Sequence, residues 1–257
     1  MPDTGSPTLS TEQVAQLLRL LRRVDAVELK LSVADADRRS AVAALGMDPL
    51  DAQIRQVVFF DTPDLALDQH GVVVRVRRIQ RKSGDSVVKL RPLVPDQLPL
   101  AIRKSRELSV EVDAMPGGFV CSGSMKAQRG NARIKAALAG GEPIRRLFTK
   151  QQHAFLSDHV PEGVGLDDLA VLGPINVLKL KFSPEGFGRG LVAEQWTYPD
   201  GSRILEFSTK CEPTETFDVA AEARAFLAGR GIDLSAEQQT KTRKALEFFA
   251  SELGEAD

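Results

Sequence analysis

Several extended segments of this chain put two charged side chains of one sign on a single strand face. Val72-Val73-Val74-Arg75-Val76-Arg77 does this with Arg75 and Arg77, Val87-Val88-Lys89-Leu90-Arg91 with Lys89 and Arg91, and Leu178-Lys179-Leu180-Lys181-Phe182 with Lys179 and Lys181. Glu111 and Asp113 alternate with Val110 and Val112, Glu206 lies between Leu205 and Phe207, and Glu28 and Lys30 alternate with Val27, Leu29 and Leu31. Side chains along a strand point to opposite faces in turn, so each segment has an apolar side and a charged side. A sheet with one solvated face gives the same alternation. Like charges set side by side repel, however, so sorting the signs by segment is costly unless an anion compensates. The pattern points to a face that binds a polyanion together with the metal ions that accompany one.

The elements that position these residues can be read in outline. Ser10 with Gln13 forms a capping box, and Val14, Leu17, Leu18 and Leu21 follow helical spacing. Strands are expected at 26–33, 54–60, 72–79, 86–91 and 107–113, with helical segments at 35–45 and 64–70. The composition of Lys82-Ser83-Gly84-Asp85 and of Tyr198-Pro199-Asp200-Gly201 marks two hairpin turns. A helix is expected at 123–138, strands at 144–156, 176–183, 190–197 and 203–211, and two closing helices, the second capped by Ser235 with Gln238 and burying Leu246, Phe249, Ala250 and Leu253. The expected organisation is a disordered stretch over 1–9 and one domain over 10–257. Its class is α+β: a closed antiparallel β-barrel with helices packed outside, charged faces lining the lumen.

Composition excludes several classes. The 34 Lys+Arg and 35 Asp+Glu leave a net charge of -1, so the chain as a whole is not a basic nucleic-acid binder and any anion site is a local concentration of charge. One Tyr and one Trp leave few platforms for stacking bases. Cys121 and Cys211 lack CxxC spacing and read as small buried residues. His70, His153 and His159 lack metal-ligand spacing, and Gly186-Phe187-Gly188-Arg189-Gly190 follows a proline and leads into a strand, which makes it a hairpin loop and not a dinucleotide fingerprint. No apolar run approaches the roughly 20 residues of a membrane span, and the polar start lacks a signal core, so the expectation is a cytoplasmic protein without membrane contact.

Phe59-Phe60-Asp61-Thr62-Pro63-Asp64-Leu65-Ala66-Leu67, followed by Gly71 and the Arg75-Val76-Arg77 strand, resembles the signature of the CYTH domain, or triphosphate tunnel metalloenzyme family. Lys89 matches the family's next basic strand, and Leu205-Glu206-Phe207-Ser208-Thr209-Lys210 resembles its late acidic strand. The resemblance implies a tunnel of about eight antiparallel strands. It further implies divalent-metal-dependent hydrolysis of inorganic triphosphate or a small organic triphosphate. Arginine meets phosphate oxygens bidentately and lysine as a point charge, whereas carboxylates hold Mg²⁺ or Mn²⁺ against the phosphate. Accordingly Lys30, Arg75, Arg77, Lys89, Arg91, Lys179 and Lys181 are the phosphate-binding set. Glu28, Glu111, Asp113, Glu194 and Glu206 are the metal set, and Glu28, Lys30 and Glu206 the catalytic group. Glu111 and Asp113 read equally as counter-ions that keep the basic side chains extended.

Two positions depart from the family pattern. Its first strand carries Glu-x-Glu-x-Lys, but here Ala26 precedes Glu28 and Lys30; its late strand carries Glu-x-Glu, but here Ser208 follows Glu206. Both losses fall on the acidic side. A tunnel that binds polyphosphate or a nucleoside triphosphate without turnover is therefore the alternative, and cyclisation of ATP stays open because base recognition is not readable from these residues.

Overall fold

The computed structural model describes residues 9–233 and 241–254. Nine strands form one closed barrel: β1 (Ala26–Val33), β2 (Gln53–Asp61), β3 (Val72–Ile79), β4 (Gly84–Leu90), β5 (Leu108–Met115), β6 (Gly118–Arg129), β7 (Ala170–Phe182), β8 (Leu191–Thr197) and β9 (Arg203–Cys211). Around the ring they run β1-β5-β6-β4-β3-β2-β7-β8-β9. Among the described residues eight α-helices accompany them: α1 (Thr11–Leu21), α2 (Arg38–Ala44), α3 (Ala66–Gln69), α4 (Leu100–Arg103), α5 (Asn131–Leu138), α6 (Lys150–Ser157), α7 (Thr216–Gly229) and α8 (Lys241–Gly254).

The barrel is not wholly antiparallel. β1 and β5 pair in parallel, with Glu28 opposite Asp113, and the other eight pairings are antiparallel. Neighbours in a closed ring can alternate in direction throughout only if their number is even, so nine strands force one parallel seam.

Two expected elements are corrected. The segment 123–138 divides in two: β6 runs through to Arg129, and the helix occupies only Asn131–Leu138. Its Met, Lys, Ala, Gln and Arg favour helices, but Cys121, Met125 and Ala127 are buried on alternate positions, and pairing with both β4 and β5 overrides propensity. The segment 144–156 is not a strand but a short turn of helix at Ile144–Leu147 and then α6. Thr149 caps α6, accepting from the Gln152 amide, while the Gln152 side chain reaches back to the Thr149 amide. Gln152 also donates to the carbonyls of Ser86 and Met125, pinning α6 across β4 and β6. The Ser10 capping box forms as expected. Leu246 and Phe249 of α8 are buried as expected, whereas Ala250 and Leu253 are partly buried. The Ser235–Gln238 cap and residues 1–8 lie outside the described residues.

Apolar strand faces point outward under the helices. Val58, Phe60, Val74, Val76, Val88 and Met125 pack against α5 and α6, and Leu31, Leu205 and Phe207 against α2 and α7. The lumen has an apolar end as well. Ala245, Leu246 and Phe249 of α8 pack on Phe59, Ile175, Trp196, Tyr198 and Ile204, several of which share the inward parity of the charged residues. This helix stops one end of the barrel.

Candidate functional site

The lumen is a cavity of about 720 Å³ whose wall carries the charged strand faces. Glu28, Lys30, Arg75, Arg77, Lys89 and Arg91 all line it. So do Glu111, Lys179, Glu194 and Glu206. Asp113 sits fully buried behind that wall. Lys181 is exposed and lies outside the lining, because β7 has run past the cavity there.

The turn between β2 and β3 explains the local sequence. Buried Asp61 accepts from the amides of Thr62 (2.7 Å), Leu67 (2.8 Å) and Asp68 (3.0 Å), and Thr62 Oγ1 accepts from the amide of Ala66 (2.8 Å). These bonds close α3 and aim the chain into β3. Gly71 then adopts φ 70°, and a side chain there would meet the Arg91 carbonyl at 2.5 Å, so glycine lets β3 and β4 begin side by side.

The ionic contacts fall into clusters. Asp113 Oδ1 lies 2.8 Å from Lys30 Nζ and Oδ2 lies 2.9 Å from Lys89 Nζ, with Arg91 Nε at 4.0 Å. Glu28 contacts Lys30 at 3.3 Å and accepts from Ser208 Oγ at 3.1 Å. Arg77 donates bidentately to Asp85 at 2.7 and 2.8 Å. Lys210 donates to both oxygens of Glu111 at 2.7 Å. Glu194 accepts from Lys179 at 2.6 Å and from Lys241 at 2.7 Å, and Lys241 reaches Glu206 at 2.8 Å.

Electrostatics follows from these partners. Burial alone would raise the Asp113 carboxyl, but Lys89 and Lys30 hold it far below the usual range. Burial likewise opposes ionisation of Glu194, and Lys241 and Lys179 outweigh it. Lys30 is raised despite burial because Asp113 and Glu28 both face it. Lys89 shares Asp113 with Lys30 and has no second carboxylate, so burial and the neighbouring cations leave it lowered.

Two lumen arginines have no carboxylate within ion-pair distance among the described residues. The Arg75 Nε–H is buried without an acceptor among the described residues, and no carboxylate lies within ion-pair distance of its guanidinium. Burial first, and Arg77 second, push its pKa down to about 10. Arg55, on the same cavity wall and near Arg77, is bonded among the described residues only to Gln53, through Nε at 3.1 Å and Nη2 at 2.7 Å. A buried cation without a counter-ion is costly, which makes this wall a place for an anionic ligand.

Sequence reasoning did not pick out Arg55, Asp85, Lys126, Lys210 or Lys241. Lys210 shares the inward parity of Glu206, and parity could have found it; Arg55 lines the cavity with Val57 on β2, where a single charge makes no alternating pattern. Lys241 comes from a helix, which strand alternation cannot reveal.

A divalent cation needs several carboxylate oxygens free to converge on it. Here each of Glu28, Glu111, Asp113, Glu194 and Glu206 has a lysine ammonium within 3.3 Å. Among the described residues no three His, Cys, Asp or Glu side chains are grouped to hold a metal ion. As arranged, the carboxylates do not fit Mg²⁺ or Mn²⁺. Among the described residues no helix is long and apolar enough to cross a membrane.

No family model matches the chain, and no curated protein matches it. Solved structures do. A candidate adenylate cyclase of Bacillus halodurans aligns with a TM-score of 0.60 at 14% identity, over 86% of this chain and 97% of that one. A candidate adenylyl cyclase of Hippeastrum that reveals a dominant triphosphatase activity aligns with a TM-score of 0.61 at 17% identity, over 84% of this chain and 92% of that one. The chain therefore has the closed-barrel fold of these two proteins, in agreement with the tunnel fold implied by its motif resemblance to the CYTH family.

Proposed function

We propose that the tunnel binds a linear triphosphate, inorganic or carried on a small organic group, and hydrolyses it. The observation that carries this reading is Arg75, whose guanidinium faces the cavity with a buried, unpaired Nε–H and no carboxylate within ion-pair distance among the described residues. Arg55, Arg77, Lys89 and Arg91 surround the same space. Their charges converge on an anion longer than orthophosphate, and arginine forks match its planar oxygen faces. In hydrolysis, water attacks the terminal phosphorus, the bond to the bridging oxygen breaks, and orthophosphate leaves with the shortened chain. The cations stabilise the charge that builds on the bridging oxygen. The shared fold with the Hippeastrum triphosphatase supports the reaction. A second reading, binding without turnover, is favoured by the pairing of every candidate metal carboxylate with a lysine.

Triphosphate should raise the melting temperature well above the shift given by orthophosphate or sulfate at matched ionic strength, since stabilisation follows ligand concentration over Kd. Equal shifts would remove the tunnel reading. Phosphate release from a panel of triphosphates, with and without Mg²⁺, separates hydrolysis from binding alone.

A further inference from the structure

Glu194 and Glu206 are direct cross-strand partners on β8 and β9, both facing the cavity. Two carboxylates so placed repel unless a cation sits between them. The structure supplies that cation from the chain itself. Lys241, the first described residue of α8, puts Nζ 2.7 Å from Glu194 Oε2 and 2.8 Å from Glu206 Oε1, while Lys179 takes the other Glu194 oxygen at 2.6 Å. Its position is held at several points. Tyr198 donates its hydroxyl to the Lys241 carbonyl at 3.0 Å, and the ammonium lies 5.1 Å from the Trp196 ring centre. The next turns of α8 anchor Ala245, Leu246 and Phe249 in the lumen's apolar end. This is a built contact and not a mobile surface lysine.

The rest of the acidic side is closed in the same way. Ser208, at the position where the CYTH pattern carries a carboxylate, donates to Glu28 Oε1, and Lys30 holds Glu28 Oε2. Asp113 lies between Lys30 and Lys89, and Glu111 is clamped by Lys210.

We propose that the Lys241 ammonium is the tunnel's resident countercation, seated between Glu194 and Glu206 where a divalent ion would otherwise bridge them, so that the tunnel takes its polyanion without a divalent metal. Metal affinity is low because the oxygens are already engaged. Anion affinity persists because cations outnumber carboxylates along the wall. Lys241 is a positioning residue for this purpose, tying the charge balance of the lumen to the docking of α8.

The test uses Mn²⁺ alone and inorganic triphosphate as separate probes. Mn²⁺ quenches nearby indole fluorescence, and the one tryptophan of the chain, Trp196, donates to Glu194 at 3.4 Å and so reports on this site. Wild type should show no saturable quenching at submillimolar Mn²⁺. Lys241→Met, which keeps the stem and removes the charge, should open a site at least about tenfold tighter, and Lys241→Arg should not. In the second arm, calorimetric titration of wild type with triphosphate in EDTA should give a Kd within about twofold of that measured with Mn²⁺ at matched free triphosphate. The second arm rests on the triphosphate reading; the first does not. Saturable submillimolar Mn²⁺ quenching in wild type overturns the proposal, and it does so whether or not Lys241→Met folds. Loss of triphosphate binding in EDTA with recovery in Mn²⁺ overturns it as well. Absence of triphosphate binding in both conditions, with Mn²⁺ excluded from wild type and admitted by Lys241→Met, retains the countercation and discards the ligand.

Discussion

Arg75 and Arg77 lie two residues apart on one face of β3, yet removing their charges should move stability in opposite directions. Arg75 has no carboxylate within ion-pair distance among the described residues, so Arg75→Met removes a desolvated charge and should stabilise the free protein by about 1–2 kcal/mol. Arg77 is forked onto Asp85, which is 2% exposed, so Arg77→Met strands a buried carboxylate. The cost should be about 3 kcal/mol, the low end for a broken buried pair, because Lys126 remains 3.3 Å from Asp85. Both variants should weaken triphosphate binding by roughly 1.5–3 kcal/mol, the range for charge-assisted hydrogen bonds. Urea unfolding and calorimetric titration of the two proteins check this; equal destabilisation would mean that Arg75 is tied into the fold after all. The contrast marks what was legible residue by residue. Alternation gave the inward parity of both arginines, but the partner that holds Arg77 lies in a stretch read as a hairpin turn. Asp85 became visible as a counter-ion only when β4 was seen to begin at Gly84 and to set Asp85 opposite Arg77.

Among the elements, the turn from β2 through α3 to β3 shows why a motif can be legible while its purpose is not. The Phe-Asp-Thr sequence stood out, and in the structure its Asp61 serves the fold by satisfying three backbone amides across α3. Asp61→Ala should cost about 3 kcal/mol, since buried donors then go unpaired. Asp61→Asn keeps an oxygen that can serve Thr62 and Leu67 and loses only the Asp68 contact, so it should cost less than half as much. Urea midpoints decide the matter; an equal cost for both variants would shift the explanation from hydrogen bonding to charge. Elsewhere, local signals were overruled. β6 is built of helix formers held extended by two partners. β7 extends back to Ala170, beyond its expected start near 176, because Gly173-Pro174 interrupts the pattern where the register against β2 shifts between Val57 and Phe59. Proline and glycine at such an irregularity read locally as a strand end.

For the whole molecule, closure of the barrel converts a balanced sequence into an unbalanced interior. A net charge of -1 says nothing of the lumen, where cations predominate and buried carboxylates are each shared or clamped. The closed sheet was legible from alternation and hairpins; the odd strand number, and so the parallel seam of β1 with β5, was not, because β5 reaches β1 only after the chain has gone around three other strands. That seam sets Asp113 opposite Glu28 and gives the interior its acid dependence. Asp85, Asp113, Glu28 and Glu194 are all held below their ordinary carboxylate values. Each therefore contributes stability that is fully present above its unfolded value, about 3.9 for Asp and 4.3 for Glu, and that is lost as pH falls through the folded value. Acid unfolding should set in below about pH 4, as protonation leaves Lys30, Lys89, Lys179 and Lys241 facing one another without counter-ions. Triphosphate still carries negative charge there and meets the same cations, so it should move the acid midpoint to lower pH, and sulfate at matched ionic strength should move it less. Asp113→Asn should be destabilised at neutral pH by roughly 3–5 kcal/mol and should show a shallower acid limb, having already lost one of these protonation sites. Far-UV circular dichroism against pH, on both proteins with each anion, tests the argument. Stability unchanged as pH falls below about 4, or equal protection by sulfate and triphosphate, would locate the governing charges outside the tunnel.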